Sequence, residues 1–181
     1  QGVGHVGAYL AGKLADAGAE LIITDVNEAA LAQVAARTGA TIVPPAAIFD
    51  VEAEVFAPCA LGGAVNAETL SRIKGRVIAG AANNQLASPE IGALLFERGL
   101  LYAPDYVING GGIINVAAEI AAIEAGTAFD PGWVEAKLTR LTATLGEILD
   151  ASLAEKRPTH EVADEMAKAR IAGAVAARKA A

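Results

Sequence analysis

The opening residues constrain this chain most. Gly2-Val3-Gly4-His5-Val6-Gly7 is a G-x-G-x-x-G string that runs directly into a stretch of helical apolar spacing. In a strand–turn–helix each glycine has its own job: Gly2 makes the tight turn, Gly4 lets the backbone approach a pyrophosphate, and Gly7 lets the helix pack close to the sheet. The helix N-terminus adds free N–H groups and a positive dipole end, which suit phosphate. Alone, the string fits a packing motif in a Gly/Ala-rich chain equally well. Its surroundings favour a dinucleotide. A helix follows to Gly18, with Val6, Leu10 and Leu14 as its buried stripe, and then a short apolar strand over Glu20–Asp25. Asp25 stands 18 residues after Gly7, close to the ~20 expected of a ribose-binding acid. Its carboxylate can accept hydrogen bonds from ribose hydroxyls and would repel a 2′-phosphate, and neither Val26 nor Asn27 supplies a cation. NAD is therefore favoured over NADP; the alternative for Asp25 is a plain turn residue.

Strand and helix signals alternate beyond this point. Asn27 caps a helix to about Arg37, and short strands are expected over Ala40–Val43, Ala53–Ala57 and Arg76–Gly80. Asn66 with Glu68 opens a helix ending near Gly75, and Ser88-Pro89-Glu90 opens another with Ser88 as its cap. Leu100–Ala103 and Tyr106–Asn109 read as extended, and an apolar helix starts at Ile113. The pattern predicts an α/β fold, a Rossmann-type doubly wound parallel sheet covered on both faces. A glycine turn of this kind follows a central strand, so the first strand of the sheet is expected upstream of Gln1. The nucleotide-binding part is expected over 1–130. Residues 131–181 carry no strand signal and read as two helices broken at Pro158, the second capped by Thr159. On that helix Val162, Met166, Ala169 and Ile171 form one apolar stripe, with Lys168, Arg170, Arg178 and Lys179 on a basic outer face.

Composition excludes several classes. A formal net charge of −7 disfavours nucleic acid and anionic membrane surfaces. No uninterrupted apolar run reaches the roughly 18 residues of a membrane span. Cys59 is the single cysteine, which leaves no internal disulfide framework and suits a reducing cytoplasm. Cys59 reads as a small hydrophobe rather than a nucleophile, with neither histidine placed beside it. His5, at a helix N-terminus, reads as a spacer near the pyrophosphate and not as a base, and His160 as solvent-facing. No metal site is expected.

Three longer strings go beyond a generic fold: Ala57-Pro58-Cys59-Ala60-Leu61-Gly62-Gly63, Ala79-Gly80-Ala81-Ala82-Asn83-Asn84-Gln85-Leu86, and Tyr102 to Val116 with Asn109-Gly110-Gly111-Gly112 inside it. In this order they resemble the NAD domain of the leucine/phenylalanine/valine dehydrogenases, relatives of glutamate dehydrogenase. Ile113-Ile114-Asn115-Val116 leans toward the leucine enzymes. The family commonly has Asn-Ala-Gly-Gly where this chain has Asn109-Gly110-Gly111-Gly112.

The resemblance implies reversible oxidative deamination of an apolar amino acid to a 2-oxo acid. It also implies a homo-oligomer, formed largely through another domain that carries the working lysines and an aspartate. No catalytic residue is therefore expected in this chain. By the same resemblance Cys59 and Ala60 lie at the cofactor ribose, Ala81 and Asn83 at the nicotinamide, Asn109 at the substrate's polar end, and Ile113 and Val116 at its side chain. From the residues alone, the Asn83-Asn84 pair and Asn109 want hydrogen-bond partners, and backbone capping in strand–helix loops remains an alternative role. Two other functions remain open at this point. Another NAD-linked oxidoreductase would want a catalytic histidine near the nicotinamide, and none lies between His5 and His160. A non-catalytic NAD-binding sensor would lack the lysine-bearing domain.

Overall fold

The structure, a computed structural model, describes residues 1–180. The Lys179 side chain expected on the basic face and Ala181, the last residue of the expected C-terminal segment, lie outside the described residues. The chain divides into two compact units, Gln1–Asp105 and Tyr106–Ala181. The division falls at 105 and not at the change of composition near 130. The helix after the glycine triplet belongs with the C-terminal helices, because Gly110 brings its start against Leu141.

The first unit is α/β with parallel sheets. Its elements run α1 (His5–Asp16), β1 (Ile22–Ile23), α2 (Glu28–Thr38), β2 (Thr41–Ile42), a 3₁₀ turn (Pro45–Asp50), β3 (Val55–Phe56), α3 (Ala67–Arg72), β4 (Val77–Ile78), α4 (Pro89–Glu97) and β5 (Leu101–Tyr102). Local chemistry explains most boundaries. Gly18 takes a left-handed φ of 85° just past α1. The Asn27 side chain accepts from the Ala30 N–H at the start of α2, and Asn66 forms a capping box with Thr69 on α3. Ser88 precedes α4 without a side-chain cap bond, contrary to expectation. Its side chain bonds the Glu90 carboxylate instead, which holds Glu90 below the usual carboxylate range.

The strands form two parallel sheets, β1-β2 and β3-β4-β5, rather than one. Register places Ile23 opposite Ile42, Phe56 opposite Ile78, and Ile78 opposite Tyr102. One core, with Val65, Ile78 and Leu95 fully buried, lies on the three-stranded sheet. A second joins Val3, Ala11, Ile23, Leu31 and Val34 under α1 and α2. A slot of about 370 Å³ runs between β1 and β3, bordered by Leu10, Leu14, Ile22 and Phe56. Gln1 and Gly2 reach both sheets: the Gln1 backbone nitrogen lies 3.0 Å from Ala57 O, the Gly2 N–H donates to Thr24 O (2.8 Å), and the Cys59 N–H to Gln1 O (2.7 Å). The slot has the place that a doubly wound sheet gives its central strand.

Helix α1 buries a different face from the expected one. Gly7 and Ala11 are buried, while Val6 and Leu14 are 58% and 38% exposed. The close approach of Gly7 to the glycine turn brings Gly7 and Ala11 down on this core; Leu10 and Leu14 border the slot between β1 and β3, and Val6 borders the groove between α1 and α2.

The second unit is helical: α5 (Asp105–Ile108), α6 (Gly111–Ala125), α7 (Pro131–Glu155) and α8 (Thr159–Ala180). Residues 105–108 are helical, not extended. Pro104 cannot donate to a ladder and ends the strand, and Val107 then packs on Ile148, Val162 and Ala163. Helix α6 starts before Ile113, at Gly111. Asp130 caps α7 by accepting from the Gly132 and Trp133 N–H groups. Helix α8 starts at Thr159 itself, with Pro158 O accepting from the Val162 N–H, so Pro158 and not Thr159 takes the cap position. His160 is half-buried, with its Nδ1 shielded from solvent, rather than solvent-facing. Residues 105–125 form one helical stretch long and apolar enough, by length and composition only, to cross a membrane (mean hydropathy 1.4). Asp105, Glu119 and Glu124 fall within it.

The stripe expected on α8 is only partly a packing face. Val162 and Ala163 are buried against Ile148 and Met166 packs beside them, whereas Ala169 and Ile171 are exposed. Arg170 leaves the outer face to pair with Glu147 of α7 at 2.8 Å. Hydrogen exchange on this chain is expected to split the helix: slow amides over Val162–Met166, fast ones over Ile171–Arg178. Uniform exchange along α8 would contradict the packing.

Candidate functional site

The glycine turn is built as its sequence requires. Gly2 has φ +90°, and a Cβ on it would lie 2.7 Å from the Ala60 backbone nitrogen. A Cβ on Gly7 would stand 2.1 Å from Gly2 O and 3.2 Å from the Cys59 Cβ. At Gly4 nothing lies within 4 Å, so the backbone there is open to a ligand. His5 and Val6 follow, exposed, in the first turn of α1, where helix geometry leaves N–H groups without intrahelical acceptors. These residues also border a groove of about 630 Å³ between α1 and α2, lined in part by Tyr9, Gln33 and Arg37.

Asp25 closes the turn from the end of β1. One carboxylate oxygen accepts from the Val3 N–H (2.7 Å), the other from the Asn27 N–H (2.9 Å). The Asn27 hydrogen bond, then that from Val3, holds its pKa below the ordinary value against the effect of burial, so it is ionised at neutral pH. Each oxygen keeps acceptor capacity for a hydroxyl. Val26 beside it is 90% exposed.

The loops after β3 and β4 are stitched together beside the turn. Ala82 N–H donates to Pro58 O (2.9 Å), Gly63 N–H to Asn84 O (2.7 Å), and Val65 N–H to Gln85 O (3.0 Å). The Ala81 N–H points to Cys59 Sγ at 3.5 Å. The structure thus brings together Gly2, Gly7, Cys59, Ala60 and Ala81, and joins Asp25 to them through Val3. Asn83 and Asn84 are exposed on the second loop, and Asn84 has φ 52°. The buried amide of this string is Gln85, fully enclosed, which the sequence reading passed over. Its Nε2 donates to Gly80 O (2.6 Å) and Ala82 O (3.0 Å), and its backbone N–H donates to the buried Asp105 carboxylate (2.7 Å). Asp105 in turn accepts from the Tyr102 hydroxyl at 3.0 Å. The signal for Asp105 was at hand: an acid directly after Pro104, three residues past the end of β5 and first in the next helix, where a buried carboxylate finds N–H donors.

Asn109, Ile113 and Val116 belong to the second unit. Asn109 is half-buried; Ile113 and Val116, one turn apart on α6, are 74% and 49% exposed. Among the described residues no group of three or more His, Cys, Asp or Glu could hold a metal ion. The features of the first unit fit a dinucleotide: an open glycine turn on a helix N-terminus, an ionised acid at the end of the next strand, and two linked loops at neighbouring strand ends.

Known proteins resemble this chain over nearly its whole length. The family model described as Glutamate/Leucine/Phenylalanine/Valine dehydrogenase matches residues 19–179. The leucine dehydrogenase of Geobacillus stearothermophilus is 41% identical over 171 residues, covering 94% of this chain and 45% of that protein. The phenylalanine dehydrogenase of Bacillus thermotolerans is 38% identical, covering 94% and 44%. Among solved structures, the L-tryptophan dehydrogenase of Nostoc punctiforme superposes with a TM-score of 0.88 at 35% identity, covering 96% of this chain and 51% of that one. The chain therefore spans about half the length of the relatives it matches.

Proposed function

Since this chain belongs to the glutamate/leucine/phenylalanine/valine dehydrogenase family, we propose that it is the NAD-binding part of an amino-acid dehydrogenase that deaminates a branched-chain or other apolar L-amino acid to the 2-oxo acid and ammonia. The observation that carries the cofactor reading is Asp25. It is ionised, stands at the end of the strand after the glycine turn, and is fixed by the Val3 and Asn27 N–H groups. In this reading the α1 N-terminus and the backbone at Gly4, His5, Val6 and Gly7 hold the pyrophosphate, with Gly2 shaping the turn. Asp25 and Val26 take the adenosine ribose, Cys59 and Ala60 the second ribose, and Ala81 and Asn83 the nicotinamide.

The cofactor, when bound, supplies a hydride acceptor. The chain's part is to hold that ring at fixed height and to present the amino acid through Asn109, Ile113 and Val116. The exposed Ile113 and Val116 then serve as a wall for the substrate's side chain. The proton-transfer groups are assigned to the half of the relatives that this chain does not span. A cytoplasmic homo-oligomer belongs to the same reading.

Asp25→Ala tests it. Calorimetry on this chain is expected to show NAD binding weakened by roughly ten- to a hundredfold, the loss of one or two charge-assisted hydrogen bonds worth about 1.5–3 kcal/mol. Discrimination against NADP should shrink at the same time. Unchanged NAD affinity in the variant would remove Asp25 from the ribose site.

A further inference from the structure

Among the described residues the most completely buried polar one is Gln85, at 0% exposure. It belongs to the segment between β4 and α4 and is buried beneath residues 80–84. Burying an amide costs free energy that hydrogen bonds must return, and here the two donors return it while Oε1 is buried without a partner. Here both N–H donors are spent on one loop, on Gly80 O and Ala82 O, the carbonyls that flank Ala81. The backbone N–H of Gln85 is spent on Asp105. Tyr102 and Asp105 are linked twice, Tyr102 O–H to the carboxylate and Asp105 N–H to the phenol oxygen at 3.1 Å. Burial pushes the Tyr102 phenol well above its ordinary pKa, so it stays a donor. The loop bends sharply: Gly80 presses on Pro58, where a Cβ would lie 2.1 Å from Pro58 O, and Asn84 sits in the left-handed region, which asparagine enters more readily than most non-glycine residues. Its shape is over-determined from below, with the Gly63 and Val65 N–H groups holding Asn84 O and Gln85 O from the side.

We propose that Gln85, Asp105 and Tyr102 are positioning residues that lock the 80–84 loop, so that Ala81 and Asn83 stand at a fixed height toward the nicotinamide. This rests on the cofactor reading above, which places the ring at Ala81 and Asn83. None of the three touches the cofactor. Gln85 acts through the two carbonyls, Asp105 through Gln85, and Tyr102 through Asp105. The arrangement ties the loop after β4 to the end of β5, so the ring's seat is set by the sheet and not by the loop.

The test uses two ligands that share the pyrophosphate and ribose contacts, NADH and ADP-ribose; only NADH carries the ring. Calorimetry on this chain compares the wild type with Gln85→Met, which keeps volume and removes both donors. Tyr102→Phe is the milder companion, since it loses only a hydroxyl, and it serves if Gln85→Met does not fold. For Gln85→Met the expected result is NADH binding weakened by roughly tenfold, with ADP-ribose within about twofold of wild type. Tyr102→Phe should shift in the same sense by a smaller factor, and bound NADH should lose part of its fluorescence enhancement in both. Equal weakening of the two ligands would make the network merely structural and overturn the proposal, as would no change in either. A wild-type chain that binds neither ligand would fell the cofactor reading itself, and the proposal with it. A wild type that binds both, with variants that do not separate them, would fell the proposal alone.

Discussion

Gly7→Val is expected to abolish dinucleotide binding and to cost about 3 kcal/mol of stability or more, at or beyond the upper end of ordinary overpacking. The reason is specific to where the new Cβ would point. It would lie 2.1 Å from Gly2 O, a backbone atom of the turn itself, so no rotamer change relieves the clash. Either the turn opens or α1 withdraws, and both dismantle the surface that Gly4 and the α1 N-terminus offer to a pyrophosphate. Gly4→Ala is the control, because a Cβ there meets nothing within 4 Å. It should melt like wild type and yet bind NAD less tightly, since the methyl stands in the ligand's approach. Thermal melting and NAD calorimetry on both variants check this. A Gly7→Val chain that melts and binds as wild type would show that close helix approach is not what this turn requires.

The second large effect lies in the sheet. Ile78 is fully buried in the middle strand of β3-β4-β5, between Phe56 and Tyr102. Truncation to alanine is expected to destabilise by about 2–5 kcal/mol, the transfer term plus the cavity left in a core with few ways to collapse. Val55 on β3 is 51% exposed, and Val55→Ala should cost within about 0.5 kcal/mol. Urea unfolding of the two variants measures the difference. Equal midpoints would mean that the three-stranded sheet does not organise the first unit's core.

What the sequence disclosed follows from how local each signal is. The Asn27 and Asn66 caps, the left-handed Gly18 and the break at Pro158 are decided within four residues, and all are where the sequence placed them. The burial of α1 was only partly legible: Leu10 and Leu14 of the expected stripe border the slot, but Gly7 and Ala11 are the buried residues. What seats the helix is the contact of Gly7 with Gly2 O, and periodicity does not see a close approach. Residues 106–108 misled for a related reason: Tyr and Val favour strands, but Pro104 and the packing of Val107 on Ile148 decide otherwise. Within the candidate site the glycines and Asp25 announce themselves by spacing. Asp105 shows its place after Pro104 but not its partner, and Gln85 shows neither, since their partnership spans 20 residues and two strand ends. A single sequence offers no way to pair a buried amide with a carboxylate at that distance.

The tie made by Gln1 and Gly2 has a consequence for how the first unit holds together. Among the described residues β1 pairs with β2 and β3 with β4, and across the slot between them the two sheets are linked through the glycine turn: the Gly2 N–H donates to Thr24 O on one side and the Cys59 N–H to Gln1 O on the other. The turn that a pyrophosphate would approach is thus also the clasp between the two sheets, so a change that opens it loosens Asp25 and Cys59 together.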